Sequence, residues 1–133
     1  MDTIKRIMIA TATWMAVSLT ALAGAEATFA ERHHNFGNIQ EERQFVTHTF
    51  EVENTGDKPL LIIEAVASCG CTKPEFDTKP IKPGKKGKVK VTYSTVGRPG
   101  AFSKTVRVKT NAEGKTKVTT LLIEGTVIPK SKK

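Results

Sequence analysis

The sequence predicts an all-β fold, an antiparallel sandwich of two sheets with about seven strands and an immunoglobulin-like arrangement. Apolar and polar residues alternate in short runs between residues 44 and 128, as they do in strands with one buried face. Clusters of glycine, proline and asparagine, which favour turns, separate these runs at a spacing of about 8–12 residues. With 38% hydrophobic but only 6% aromatic residues, the core is expected to consist mainly of Val, Ile and Leu.

The first predicted elements differ in their expected burial. A short run at His33–Phe36 predicts an edge strand. One face of the strand predicted at 44–54 carries Val46, His48, Phe50 and Val52. Residues 59–67 are almost continuously apolar, which predicts a strand buried on both faces or a strand in the core of a sandwich.

The remaining strands alternate regularly. The strand predicted at 86–94 buries Val89, Val91 and Tyr93, and the strand at 102–110 buries Phe102, Val106 and Val108. A final strand is predicted at 117–128. Residues 111–114, Asn-Ala-Glu-Gly, supply the turn of a hairpin between the last two strands. The one Trp of the chain lies at position 14, so the disulfide-and-Trp core of antibody domains is not expected.

The N-terminal residues predict a secretory signal peptide over residues 1–25. Lys5 and Arg6 precede an uncharged run at 7–23, and small residues follow it, which is the order typical of such signals. An uncleaved membrane anchor is the alternative. The mature chain is then expected to begin near Glu26 in the periplasm or outside the cell. Residues 26–133 form a single domain, with its core at 34–127.

Charge is distributed unevenly along the predicted mature chain. Residues 26–64 hold eight acidic and three basic residues, a net of −5, whereas residues 65–133 hold four acidic and sixteen basic residues, a net of +12. The basic half predicts either contact with an anionic glycan or membrane surface, or lysines that solubilise outward strand faces. The second interpretation is favoured. Nucleic acid is not expected as a partner, because aromatic residues do not interleave the lysines.

Catalytic motifs are not matched, which predicts a protein that is not an enzyme and uses no cofactor. Gly114-Lys115-Thr116 resembles the end of a phosphate-binding loop, but Lys109 stands where that loop needs glycine. The His-Glu-x-x-His and Gly-x-Ser-x-Gly patterns do not occur.

The candidate site is the Cys69-Gly70-Cys71 motif, which contains both cysteines of the chain. A disulfide between them needs a tight bend, which Gly70 permits, and as a clamp it is weak because the loop is short. Redox exchange is the second interpretation, since a small-ring disulfide exchanges readily. A soft metal is the least favoured. Cys69 and Cys71 with His48 are the candidate ligands, and His33 and His34 become available only if the fold brings them over the cysteines.

Motifs along most of the chain resemble one known family. They are Phe36-Gly37-x-Ile39, Phe50-x-x-x-Asn54-Thr-Gly-x-x-Pro-Leu60, Ser68-Cys-Gly-Cys-Thr72, Pro80-Ile-x-Pro-Gly84 and Gly97-Arg-x-Gly100. Their order and spacing over residues 34–127 resemble the secreted bacterial family known as domain of unknown function 1573. The resemblance implies an immunoglobulin-like sandwich, related to domains of sperm-surface, cilia and chaperone-associated proteins, and it implies export. It implies no activity.

The expected function is therefore an exported, non-catalytic binding or scaffolding domain with an unknown protein partner. Such sandwiches often bind a partner by adding a strand at an open edge, for which the segment at His33–Phe36 and the last strand are the candidates. The alternative is a periplasmic thiol–disulfide exchange or soft-metal protein that uses the Cys-Gly-Cys motif.

Overall fold

The computed structural model describes residues 24–130, which form two packed four-stranded sheets. The predicted signal segment lies outside the described residues, apart from its last two. The strands are β1 (Ala27–Phe29), β2 (His33–Gln40), β3 (Phe45–Asn54), β4 (Ile62–Ala67), β5 (Thr72–Phe76), β6 (Lys86–Ser94), β7 (Gly100–Thr110) and β8 (Val118–Ile128). Two 3₁₀ turns lie at Glu41–Arg43 and Gly114–Thr116.

The first sheet has the strand order β1-β3-β6-β5 and the second has the order β2-β8-β7-β4. The predicted sandwich is confirmed, with two differences. Eight strands are present in the described residues, because β1 has three residues and β5 contains Pro74, and both features conceal a strand in the sequence. The sandwich is also not wholly antiparallel, since β2 pairs with β8 in parallel.

The alternating runs place their apolar residues in the core, as predicted. Val89, Val91 and Tyr93 of β6 are buried between the sheets. The Tyr93 ring stacks on Phe102 of β7 with ring centroids 3.9 Å apart, which joins the first sheet to the second. The predicted hairpin is confirmed, because Lys109 of β7 lies opposite Val118 of β8.

Of the two interpretations of residues 59–67, burial on both faces is wrong, because only one face of the strand lies in the core of the sandwich. Leu60 and Ile62 are buried, but Ile63 is 52% exposed and Val66 is 54% exposed. The reason is the position of β4 at the edge of the second sheet, where one face packs on the core and the other meets solvent. An apolar run can therefore mark an exposed surface as well as a doubly buried strand.

Candidate functional site

The Cys-Gly-Cys segment forms the turn that leads from the second sheet to the first. It connects β4 to β5, and the N–H of Thr72 donates to the C=O of Cys69 at 3.2 Å to close the turn. The two sulfur atoms are joined in a disulfide, with the Cα atoms 5.3 Å apart. The segment thus bends as the bridge requires. Its role as clamp or exchanger stays a prediction.

The two cysteines differ in their surroundings. Cys71 is buried, with 5% of its surface exposed, whereas Cys69 is half-buried at the rim of the core. The N–H of Cys71 donates to the sulfur of Cys69 at 3.1 Å. Gly70 between them does not have a positive φ, and a Cβ atom there would meet nothing within 4 Å. The turn therefore does not use the conformational freedom of glycine that the sequence interpretation assigned to it.

The histidines lie in two groups that the sequence did not predict. His34 of β2 stacks on His48 of β3, with ring centroids 3.6 Å apart and planes within 7°. His48 Nε2 bonds Glu31 Oε1, and one ligand atom from each of Glu31, His34 and His48 lies within 4.8 Å of the others. His33 points elsewhere and bonds Glu124 of β8.

Burial lowers the pKa of His34, and the neighbouring His48 ring lowers it further, against a smaller opposing effect of Glu31. A neutral imidazole is therefore favoured at this position. His48 is half-buried, as expected from its place in an apolar stripe. Neither cysteine belongs to a cluster of three metal-ligating side chains in residues 24–130. The structure thus groups His48 with His34 and Glu31, and not with Cys69 and Cys71.

Three of the four outer strands are protected against pairing with another chain. β1 has only three residues. β2 contains an irregularity between Asn35 and Asn38, where Gly37 has a φ of +72° and its N–H donates to Asn35 Oδ1. β5 contains Lys73 and Pro74. Short length, bulges, lysine and proline are the devices by which natural sheets prevent edge pairing.

The fourth outer strand, β4, has an irregularity in its pairing between Ile62 and Glu64, but it lacks the other devices, and residues 64–67 pair regularly with β7. It has six residues, Ile-Ile-Glu-Ala-Val-Ala, without lysine or proline, and it pairs only with β7 in residues 24–130. The bridge between Leu60 and Ile81 covers the chain just before β4 and leaves the strand itself open on that side. β8, which was a second candidate for strand addition, lies between β2 and β7 and has no free edge.

The lysines of β6 lie opposite acidic residues of the neighbouring strands. Lys86 faces Glu53 and Lys88 faces Glu51 on β3. On the other side of β6, Lys90 Nζ lies 3.8 Å from Glu75 Oε1 of β5. This arrangement supports the solubilising interpretation of the basic half, because the positive charge of β6 is locally compensated. Contact with an anionic surface stays a prediction. No helix within residues 24–130 has the length and hydropathy needed to span a bilayer.

A family model described as "Protein of unknown function (DUF1573)" matches residues 27–127. This is the family that the sequence motifs resemble. No curated protein matches the chain.

Solved structures share the fold at low sequence identity. A protein of unknown function from Porphyromonas gingivalis W83 has a TM-score of 0.66 and 13% identity, over 82% of this chain and 50% of that one. The Vibrio cholerae VesB protease has a TM-score of 0.61 and 13% identity, over 76% of this chain and 32% of that one. The ASH/PapD-like domain 7 of human CEP192 has a TM-score of 0.61 and 11% identity, over 96% of this chain and 100% of that one. The chain thus spans half or less of the first two proteins, and these likenesses show the fold alone.

Proposed function

We propose that this chain, which belongs to the DUF1573 family, is an exported, non-catalytic binding or scaffolding domain that adds a partner's extended strand to β4. The observation that carries the proposal is the contrast among the outer strands. Three are protected by short length, by lysine and proline, or by a bulge with a positive-φ glycine, whereas β4, beyond its irregularity at Ile62–Glu64, is open and apolar over residues 65–67. An open edge of this kind is an aggregation hazard unless a partner covers it.

The backbone of β4 has hydrogen-bonding groups available for such a partner. The N–H of Ser68, directly after β4, donates to the C=O of Thr105 in β7 at 2.9 Å. Because the backbone groups of successive residues point to opposite edges of a strand, those of Ser68 and Val66 face β7 and those of Ala65 and Ala67 are directed to the free edge. A partner strand would pair with these groups.

Side chains on the solvent face beside β4 indicate which residues a partner strand should carry. Val66 of β4 and Val118 of β8 form an apolar floor, flanked by Glu64, Arg107 and Lys109. A strand whose outward positions alternate apolar with charged residues would continue this surface. We therefore propose an extended peptide of that pattern as the partner's binding segment.

Crosslinking in the native compartment tests this proposal. A photoreactive phenylalanine analogue replaces Val66, or, as a matched control, Val96, which is 56% exposed and lies away from β4. We expect a crosslinked partner from position 66 and none from position 96. Ala65→Pro removes one free-edge N–H without breaking the pairing with β7, and it should abolish the crosslink while circular dichroism shows an intact fold.

Two results would overturn the proposal. One is equal crosslinking from both positions, which would indicate non-specific contact. The other is a crosslink that survives in a folded Ala65→Pro protein. The intact mass of the exported protein tests the predicted export separately, since cleavage of the predicted signal should leave a chain that begins near Glu26.

Thiol–disulfide exchange is a second candidate function, and the hydrogen bond from the Cys71 N–H to the Cys69 sulfur favours it. A dithiol reductant such as dithiothreitol first opens the Cys69–Cys71 bridge, and in the reduced form this donor stabilises a thiolate on Cys69, the more exposed cysteine. The thiolate would attack a disulfide of a protein substrate and release one substrate thiolate, which takes up a proton. Cys71 would then attack the mixed disulfide, which restores the Cys69–Cys71 bridge and releases the second substrate thiol.

Insulin reduction tests the second candidate. We expect activity in the unmodified protein, its loss in Cys69→Ser, and a trapped mixed disulfide in Cys71→Ser. The absence of insulin reduction by the unmodified, folded protein would end this candidate and leave the disulfide as a local clamp.

A further inference from the structure

We propose that Glu31, His34 and His48 bind one divalent transition-metal cation such as Zn²⁺. The three residues come from separate segments of the chain. His34 lies on β2 of the second sheet and His48 on β3 of the first, and Glu31 lies in the connection between β1 and β2. The fold thus assembles at one side of the sandwich a set of ligands that are 17 residues apart at most in sequence.

The set consists of two imidazole nitrogens and one carboxylate oxygen. Zn²⁺ takes this combination in tetrahedral sites whose fourth position is left to water or another ligand. Hard cations such as Mg²⁺ and Ca²⁺ prefer all-oxygen sites. The ligand types therefore favour Zn²⁺ or a neighbouring transition metal over these cations.

The distances require only a local adjustment. The three ligand atoms lie within 4.8 Å of one another. In a tetrahedral site with bonds of about 2.0–2.1 Å, ligand atoms lie about 3.3 Å apart. Glu31 is exposed on its connection, and its side chain can cover the difference by rotation.

The parallel histidine rings must also separate on binding. Each imidazole lone pair lies in the plane of its ring, and the His34 and His48 planes are parallel with centroids 3.6 Å apart. One ion cannot lie in both planes, so at least one ring must turn. The proposal thus predicts a reorientation of the rings that a purely structural stack would not undergo.

Two phenylalanine rings contact the His34 and His48 rings on the core side. Phe36 meets the His34 ring edge-on at 4.6 Å, and Phe50 meets the His48 ring edge-on at 4.7 Å. These contacts limit solvent on the core side and leave the Glu31 side open. The His34 ring makes no hydrogen bond with residues 24–130, so its nitrogens are available to an ion.

Zinc titration of the purified full chain, free of any affinity tag and stripped with chelator, tests the proposal by calorimetry. We expect one Zn²⁺ per chain. His34→Gln and His48→Gln should each weaken binding at least about tenfold, since even groups that only orient a ligand contribute that much. The matched control is His33→Gln, which removes the adjacent histidine of the same strand and should leave binding unchanged.

Two further measurements separate loss of a ligand from loss of the fold. Glu31→Gln changes an exposed side chain and should also weaken binding, while zinc should raise the melting temperature of the unmodified protein and not of the His34 and His48 variants. In NMR spectra, zinc should shift the ring resonances of His34 and His48 but not those of His33.

The proposal is wrong if stoichiometric binding is absent, if His33→Gln weakens binding as much as His48→Gln, or if the loss of both cysteines abolishes it. Binding that persists in folded His34→Gln and His48→Gln proteins would overturn it as well.

Discussion

The two ends of β3 are anchored by different kinds of side chain. Asn54 closes the strand and is fully buried, with 0% of its surface exposed. Glu41 precedes the strand in the 3₁₀ turn. Its carboxylate accepts hydrogen bonds from backbone N–H groups of two exposed segments, at Gly97 and Lys130. Both side chains join backbone groups of separate segments. Backbone segments can thus be joined either by a neutral buried amide or by an ionised surface group, and the two depend differently on burial and on pH.

Asn54 uses its whole side-chain amide. Its Nδ2 donates to the C=O of Lys58 at 2.7 Å and of Ile81 at 2.8 Å, and its Oδ1 accepts the N–H groups of Gly56 and Glu26. The Asn54 side chain therefore joins the N-terminal segment, the turn after β3 and the segment before β6. Its bonds contain no group that titrates near neutral pH.

Glu41 performs the same task with charge. Oε2 accepts the N–H of Gly97 at 2.7 Å, and Oε1 accepts the N–H of Lys130 at 3.1 Å. These hydrogen bonds, that from Lys130 most of all, lower the pKa of Glu41 below its ordinary value. The anchor at this end of β3 therefore depends on pH, whereas the amide of Asn54 does not titrate.

The largest effect is expected from Asn54→Ala. The substitution removes a partner from four backbone groups around a buried site, of which only the Ile81 C=O keeps another, the Leu60 N–H, and we expect it to lower the free energy of unfolding by about 3 kcal/mol. Urea denaturation measures the change. Asn111→Ala is the matched control, because Asn111 also makes two side chain–backbone bonds, to Leu61 and Pro59, but in an exposed position.

Water replaces those partners in the control, so Asn111→Ala should lower the free energy of unfolding by about 1 kcal/mol. Equal losses in the two variants would show that burial does not distinguish the two asparagines, and the comparison of the two ends would fail.

The next effect is expected from the glycines that donate to each anchor. A Cβ atom on Gly56 would lie 2.1 Å from the carbonyl oxygen of Gly24 and 2.6 Å from the nitrogen of Glu26, both backbone atoms. We expect Gly56→Ala to destabilise the protein by about 2 kcal/mol through overpacking. At the other end, Gly97 has a φ of +71° and space around it, so Gly97→Ala should cost about 1 kcal/mol from backbone strain alone.

Thermal unfolding of both alanine variants tests the order. A larger loss from Gly97→Ala than from Gly56→Ala would contradict the packing argument, since the close backbone approach exists only at the Asn54 end.

Sequence patterns predicted the fold more completely than they predicted these anchors. Strand β6 was predicted at its observed bounds, because its lysines and valines alternate without interruption. The turns between the runs were predicted from their glycine, proline and asparagine. The burial of the Asn54 side chain was not predicted, because its partners at Glu26 and Ile81 are distant in sequence.

In the candidate sites, too, local features follow from the sequence and the others depend on the fold. The bend at Cys69–Cys71 is local, and the sequence required it if the two cysteines form a disulfide, whereas the grouping of Glu31, His34 and His48 depends on strands from two sheets. The open edge of β4 depends on strand order, which an apolar run does not encode. Periodicity specifies which face of a strand is buried, and only the fold specifies which strands are at the edge.

The smallest effect is expected from Glu41→Gln and has a definite pH dependence. Because the pKa of Glu41 is lowered in the folded protein, the carboxylate stabilises the fold above its ordinary pKa of 4.5 and loses this contribution as pH falls through the folded value. Gln offers one acceptor oxygen in place of two, so the variant should melt lower than the unmodified protein at pH 7. The two melting temperatures should converge in acid.

Glu42→Gln is the control for this titration, because Glu42 is the exposed next residue of the same turn and its replacement removes the same formal charge. A change in net charge alone would act alike in both variants, so Glu42→Gln measures that effect, and Glu41→Gln should melt lower than Glu42→Gln at pH 7. If Glu41→Gln and Glu42→Gln show the same pH dependence, the two backbone hydrogen bonds do not stabilise this end of β3. The same melts on Asn54→Ala should run parallel to those of the unmodified protein between pH 7 and acid, because a neutral amide anchors that end.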